Sequence, residues 1–289
     1  MVYNNINYKM ENNMFEKNKI YNGITLDILK TFPDNIIDLT VTSPPYNKKI
    51  TKSGKNSIMK PIKYDSIGDN MNESDYQKDQ INVLNEIYRT TKQGGSMFYN
   101  HKVRHLKGIM THPMEWLVKT KWHLRQEIIW NRKAAVEVGG YRFYQIDERI
   151  YWLYKPLNNN VIGSKMLSKH ARCSSIWTFA PDRKNDHPAP FPLEIPLRCI
   201  LSMLDENKGI VLDPYMGSGT TAVACKLLNK DYIGIDISQN YINKAIDRIN
   251  NFENERYKLE KELENHIVKK SYKERQKERN KKKGNIFFK

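Results

Sequence analysis

Ser43-Pro44-Pro45-Tyr46 closes the apolar run Ile36-Ile37-Asp38-Leu39-Thr40-Val41-Thr42 and puts a hydroxyl, two prolines and an aromatic ring into a single turn. Proline donates no ladder hydrogen bond and biases the residue before it away from helix, so the pair ends the strand and leaves flanking carbonyls able to accept. This set suits a flat ring carrying an exocyclic amino group: Ser43 and the Pro44 carbonyl accept its N–H bonds while Tyr46 stacks on its face. The plain alternative for the same four residues is a strand-to-loop turn.

A second segment runs Gly209-Ile210-Val211-Leu212-Asp213-Pro214-Tyr215-Met216-Gly217-Ser218-Gly219-Thr220-Thr221 and continues with helix-forming residues to Leu228. It reads as buried strand, glycine turn and helix, with Gly217 and Gly219 permitting torsions and close approach denied to other residues. Tyr232-Ile233-Gly234-Ile235-Asp236 then gives another strand ending in a carboxylate, where nucleotide-binding sheets hold ribose hydroxyls. No G-x-x-x-x-G-K-[ST] run is present, which disfavours a phosphate-cradling P-loop.

Together these segments resemble the DNA amino-methyltransferases that use S-adenosylmethionine, over roughly residues 20 to 250. The order, with S-P-P-Y first and D-P-x-x-G-S-G second, is similar to the circularly permuted beta group of that family. A third match lies between them, His187-Pro188-Ala189-Pro190-Phe191-Pro192-Leu193-Glu194-Ile195-Pro196, which resembles the segment that helps enclose the methionine end of the cofactor. The resemblance implies an α/β Rossmann-like fold with a mostly parallel sheet. It implies a catalytic turn at Ser43, Pro44, Pro45 and Tyr46, and a cofactor pocket from Asp213, Pro214, Gly217, Ser218, Gly219, Thr220, Asp236, Phe191 and Pro192. It also implies double-stranded DNA as substrate, and it admits a cognate restriction endonuclease acting on the same site. The chain departs from the family at Gly23-Ile24, where relatives carry Gly-Asp with the acid near the adenine amino group of the cofactor; Asp27 is the candidate substitute.

Composition agrees. The 289 residues suffice for one large domain, and a net charge of +16 favours a polyanionic partner through counterion release. A lysine- and asparagine-rich genome bias would also raise the charge, but seventeen tyrosines and five tryptophans exceed what it supplies. Cys173, Cys199 and Cys225 form no C-x-x-C pair, which fits a reduced compartment and no metal framework. None sits in the Pro-Cys setting used to attack a pyrimidine ring carbon, and an exocyclic nitrogen needs no protein nucleophile. With no signal-peptide core and no run of membrane-spanning length, the expected location is cytoplasmic.

The elements that must position these groups follow in order. Residues 1–19 read as a loose lead-in, and residues 48–72 as a polar flap contacting base or phosphate. Residues 74–92 carry Ile81, Leu84, Ile87 and Tyr88 at helical spacing, opened by Ser74 as N-cap and stopped by Gly94-Gly95. Strands are predicted over 96–100, 126–131 and 149–154, with a helix over 113–121. Two basic and aromatic segments, 131–145 and 155–186, fall outside the alternation and are the candidates for target recognition; the alternative for each is a solvated surface loop. Residues 251–289 read as a separate piece: a solvent-exposed helix with intrahelical ion pairs, then a tail from Lys269 with ten basic residues against Glu274 and Glu278. In the resembled family Ser at the first position of the turn leans toward N4 of cytosine and Asp toward N6 of adenine, so Ser43, with Phe191-Pro192 in place of Lys-Pro, favours cytosine, adenine being the alternative. A catalytically idle nucleic-acid-binding relative is the reading from another class, and the intact Ser43–Tyr46 and Asp213–Gly219 segments argue against it.

Overall fold

The computed structural model describes residues 15–47, 71–106, 108–133, 142–157, 173–181, 191–266 and 276–277. Its frame is an eight-stranded sheet whose strands are Lys19–Asn22 (β1), Ile37–Thr42 (β2), Thr91–His101 (β3), His123–Asn131 (β6), Asp147–Tyr154 (β7), Ile176–Thr178 (β8), Ile210–Asp213 (β9) and Asp231–Asp236 (β10). Arg104–Leu106 (β4) and Ile109–Thr111 (β5) form a small separate hairpin. The order across the sheet is β1-β10-β9-β2-β3-β7-β6-β8. The first five in that order run parallel, as continuous apolar runs buried on both faces predict. β7 is antiparallel to both β3 and β6, and β8 pairs parallel to β6.

Successive residues face opposite sides, which gives two cores. Ile210, Leu212, Met97 and Tyr99 pack under the helices Thr25–Thr31 (α1), Glu73–Thr90 (α2) and Met114–Leu117 (α3). Val211, Leu39, Val41 and Phe98 pack under Glu194–Met203 (α4), Thr220–Leu227 (α5), Gln239–Asn250 (α6) and Arg256–His266 (α7).

Several boundaries differ from the sequence expectation. α2 starts at Glu73 after Asn72, so Ser74 lies inside the first turn; Glu73 is drawn into the helix start, where its carboxylate takes both Arg104 guanidinium nitrogens at 2.7 Å. Gly94-Gly95 do not stop that helix. They lie within β3, where β2 pairs Ile37 with Thr91 but Leu39 with Ser96, so the extra residues bulge out. Gly94 has φ +80°, and a Cβ on Gly95 would fall 2.5 Å from the Thr91 methyl. α3 is one turn rather than nine residues, because the Thr120 hydroxyl and amide both turn back to the Leu117 carbonyl and tighten the chain out of α-helix. The lead-in is shorter than residues 1–19: Lys19 already opens β1 and the Phe15 ring meets Phe32 edge-on at 5.5 Å. Part of the 155–186 segment is sheet, since Ile176–Thr178 extends the edge beside β6 and Trp177 is buried.

The largest correction concerns the C-terminal piece. α7 is docked on the body of the sheet: Leu259 enters the core, and Glu262, only 1% exposed, receives Arg198 of α4 through bonds of 2.6 and 2.9 Å. Local ion pairs are present, Arg256 with Glu253 and Lys258 with Glu255, and each joins α7 to the 3-10 turn before it. The Lys269–Lys289 tail lies outside the described residues except for 276–277. Replacing Glu262 with alanine strands a buried guanidinium, a change expected to lower unfolding free energy by about 3–5 kcal/mol in urea denaturation. A loss below about 1 kcal/mol would show that α7 is only loosely docked.

Candidate active site

The functional segments meet at the carboxyl ends of the parallel strands. β2 delivers Ser43–Tyr46, β9 delivers the turn from Asp213 to Gly219, and β10 ends in Asp236. β2 and β9 are adjacent, with Leu39 opposite Val211 and Thr40 opposite Leu212, so segments about 170 residues apart in sequence become neighbours. Helices from β2 cover one face and helices from β9 the other, so the chain changes direction between these strands, the place where open α/β sheets leave a crevice.

The glycine turn is built on buried polar contacts. Asp213 is fully buried; one oxygen accepts the Thr42 hydroxyl at 2.8 Å and the Tyr215 amide at 3.2 Å, and the other accepts the Thr221 hydroxyl at 2.6 Å. Burial pushes its carboxyl up to about 6, against the bonds from Thr221 and Thr42 that favour the ionised form. Asp213 thus stands beneath the turn and not in the cleft. Pro214 accepts the Thr25 hydroxyl at 2.8 Å through its carbonyl. Gly219, at φ +80°, lies against α6 so closely that a Cβ would stand 3.0 Å from the Ala245 Cβ. Ser218 and Thr220 turn toward Arg248, which donates to the Thr220 hydroxyl at 2.8 Å and the Ser218 carbonyl at 3.3 Å while Glu255 holds its other side. Of the expected pocket residues, Asp236 is the one whose charged group stays partly exposed: its oxygens accept the Gly217 and Ser238 amides, each at 2.8 Å, and burial raises its carboxyl. The Ile237 amide is a third backbone donor that favours the ionised carboxylate.

Phe191 and Pro192 are buried at the start of α4, and His187–Pro190 lies outside the described residues. Ile24, where the family acid was expected, is 57% exposed at the start of α1, beside the Gly23 amide that donates to the Asp236 carbonyl. Asp27 is exposed on the first turn of α1.

The S-P-P-Y turn is held from below. Tyr76 on α2 donates to the Pro45 carbonyl at 2.7 Å, and its oxygen lies 2.7 Å from His101 Nε2. Tyr46 is buried, its ring 4.6 Å from that of His101 and tilted by 39°. Its hydroxyl lies 2.8 Å from Ser43 Oγ, donates to Glu148 Oε2 at 2.9 Å and accepts from Asn100 Nδ2 at 2.7 Å. Asn100 also reaches Ser43 Oγ and Glu148 Oε2, each at 3.2 Å, and Arg132 pairs with Glu148 Oε1 at 2.9 Å.

Sequence reasoning missed Asn100, Glu148, Thr42 and Thr221. Asn100 and Glu148 carried a weak signal, each a polar residue at the limit of a predicted strand. Residues 48–70 of the predicted 48–72 flap, and most of both segments predicted for target recognition, 134–141 and 158–172 with 182–186, lie outside the described residues.

A mostly parallel sheet with a glycine turn, a strand-end acid and a Ser-Pro-Pro-Tyr turn at one edge defines a Rossmann-like fold. The DNA methylase family model matches residues 37–247, and the chain belongs to that family. It is 28% identical to the Type II methyltransferase M.BglII of Bacillus subtilis over 82% of this chain and 72% of the relative. It is 26% identical to the Type II methyltransferase M.ScaI of Streptomyces caespitosus over 80% of each. Among solved structures, the cytosine-N4-specific PvuII DNA methyltransferase superposes with a TM-score of 0.62 at 17% identity, covering 82% of this chain and 91% of that one. The M1.HpyAVI–SAM complex superposes with a TM-score of 0.54 at 18% identity, covering 80% and 98%.

The buried Asp213 makes a pH prediction. Its folded-state value, about 6, exceeds the ordinary 3.8, so the folded protein binds this proton more tightly than the unfolded chain. The stability it contributes is complete below about pH 4 and is lost as pH rises through about 6, at about 1.4 kcal/mol per unit. The unfolding free energy of the parent relative to Asp213→Asn should therefore fall between pH 4 and 6 and flatten above. A pH-independent difference would show that burial does not govern this carboxyl.

Proposed function

We propose that the chain is a site-specific DNA methyltransferase that uses S-adenosylmethionine to methylate the N4 amino group of a flipped cytosine in double-stranded DNA. The observation that carries this reading is the Ser43 hydroxyl, held by Tyr46 and Asn100 at the end of the strand that pairs with the glycine-turn strand. The residues present fit the cofactor. Asp236 offers a partly exposed carboxylate to a ribose diol, Gly217 at φ +51° brings side-chain-free backbone to the same edge, and Phe191-Pro192 walls the remaining end. When bound, S-adenosylmethionine supplies a methyl group on a sulfonium, an electrophile that an amino nitrogen attacks without a protein nucleophile. Burial raises the Cys199 and Cys225 thiols well above their ordinary range, so neither provides the thiolate that ring-carbon methylation requires.

The amino nitrogen is a poor nucleophile because its lone pair is delocalised into the ring. Ser43 Oγ and the Pro44 carbonyl accept its hydrogens and draw it toward tetrahedral geometry, which localises that pair. Tyr46 walls the base, and holding both reactants at one strand edge removes much of the entropic barrier. Extruding the base costs a few kcal/mol, partly offset by these contacts. A hydroxyl at the first position of the turn, in place of a carboxylate, supports cytosine over adenine. A restriction endonuclease recognising the same sequence and a cytoplasmic location complete the proposal, in keeping with the Type II relatives and the buried thiols of Cys199 and Cys225.

Mass analysis of nucleosides after incubating the protein with DNA and S-adenosylmethionine tests the reading. N4-methylcytosine is expected, N6-methyladenine would reassign the base, and no modified nucleoside would refute the activity. Asp236→Ala should weaken cofactor binding by about 1.5–3 kcal/mol in calorimetry, the range of a charge-assisted bond, with unchanged affinity counting against the ribose role. Deleting residues 269–289 should flatten the salt dependence of DNA binding, by a slope of about 0.9 for each phosphate that the tail neutralises.

A further inference from the structure

The hydrogen-bond directions around Tyr46 are fixed by elimination. Glu148 Oε2, as a carboxylate oxygen, only accepts, so the single Tyr46 proton is committed to it across 2.9 Å. Asn100 Nδ2 lies within reach of that same carboxylate, which fixes its amide with the nitrogen inward, and it donates to the Tyr46 oxygen at 2.7 Å. With the Tyr46 proton spent, the 2.8 Å contact between Ser43 and Tyr46 must be donated by Ser43. The chain therefore runs one way, from Ser43 through Tyr46 to Glu148, and with Asn100 Nδ2 reaching Ser43 Oγ at 3.2 Å it leaves one lone pair of that oxygen for a substrate hydrogen. Glu148 is 5% exposed, and Arg132, 28% exposed in its side chain, holds its other oxygen at 2.9 Å.

We propose that Ser43, Tyr46 and Glu148 form a proton relay that drains the amino group during methyl transfer, with Glu148 as its terminus. The inference rests on the methyltransferase reading above. An amino nitrogen that gains a methyl group is left with one proton in excess. That proton passes to Ser43 Oγ, the Ser43 proton moves to the Tyr46 oxygen, and the Tyr46 proton moves to Glu148, which becomes a neutral carboxylic acid; every oxygen ends with its original bonds except Glu148. Exchange with solvent beside the partly exposed Arg132 resets the relay. Arg132 at the end of β6 holds the other oxygen of that carboxylate and leaves Oε2 to the Tyr46 hydroxyl. Among the described residues, the other titratable groups against this path are His101, which packs on the Tyr46 ring from β3, and Tyr76, whose hydroxyl meets His101 Nε2 and the Pro45 carbonyl. Glu148 does not touch the base; it acts through Tyr46, as a positioning and proton-accepting group.

The test uses the full chain in excess over DNA from a methylation-deficient bacterium, with tritium-labelled S-adenosylmethionine, and follows a single turnover across pH. Glu148→Gln preserves shape but cannot take a proton. It should slow transfer about 100-fold, within the usual range for acid–base assistance, and remove the fall in rate at low pH, while cofactor and DNA affinities stay within about twofold. Glu148→Asp should recover part of the rate and the low-pH fall. Tyr46→Phe breaks the relay in the middle and should be slowed comparably, and it carries the test if Glu148→Gln does not fold. Parent-like rate and pH profile in Glu148→Gln, or in Tyr46→Phe, overturn the relay while leaving the proposed function standing. A slowed Glu148→Gln that keeps the parent's pH profile also overturns it, because the role would then be structural. Absence of methyl transfer by the parent protein would overturn both.

Discussion

The buried carboxylate of Asp213 is the contact on which the site depends. It joins Thr42, the last residue of the strand that carries the Ser-Pro-Pro-Tyr turn, to Thr221, in the first turn of the helix that follows the glycine turn. One hydroxyl comes from β2 and the other from α5, and Asp213 itself ends β9, so a single side chain ties the strand of the proposed base site to the turn of the proposed cofactor site. Burial works against the charge, and three hydrogen bonds work for it. A side chain that stays fully buried under that opposition fixes geometry tightly, since a small displacement would leave a polar group unpaired in a low-dielectric interior.

A second polar cluster around Tyr46 has the same character. Ser43, Tyr46, Asn100, Glu148 and Arg132 come from the loop after β2, from β3, from β7 and from the end of β6, so both the parallel half and the antiparallel half of the sheet contribute. Because β7 runs antiparallel to β3, its beginning lies beside the end of β3, with Asn100 opposite Ile150 and His101 opposite Arg149. That reversal brings Glu148 to the carboxyl edge, where a parallel strand would have placed its last residue instead.

Arg198 performs a comparable task away from the cleft. It forms a two-point ion pair with Glu262 of α7 while its guanidinium lies 5.1 Å from the Trp177 ring and 4.6 Å from the Phe179 ring. One cation thereby ties the edge strand β8, helix α4 and the C-terminal helix into a single body. The planar guanidinium suits this, since it pairs in its own plane and offers its face to aromatic rings.

Local chemistry made much of this legible in the sequence. Proline stiffness at Pro44-Pro45, the glycines at 217 and 219, and continuous apolar strands ending in Asp213 and Asp236 are near-neighbour signals, and the parallel sheet, the turn and the strand-end acids follow from them. What only the tertiary structure decided depends on pairings between distant segments. Asp213 looked like a pocket residue and proved to be a buried brace, because its partner Thr42 lies 171 positions away. Tyr46 looked like a free stacking platform and proved to be anchored through its hydroxyl, because Glu148 reaches it from an antiparallel strand. The glutamates of α7 read alike in sequence, yet Glu262 is buried and Glu260 is exposed, a distinction set by the face that meets Arg198. Residue type and spacing fix which local turn or strand forms; which polar groups become partners depends on the register and direction in which the strands meet.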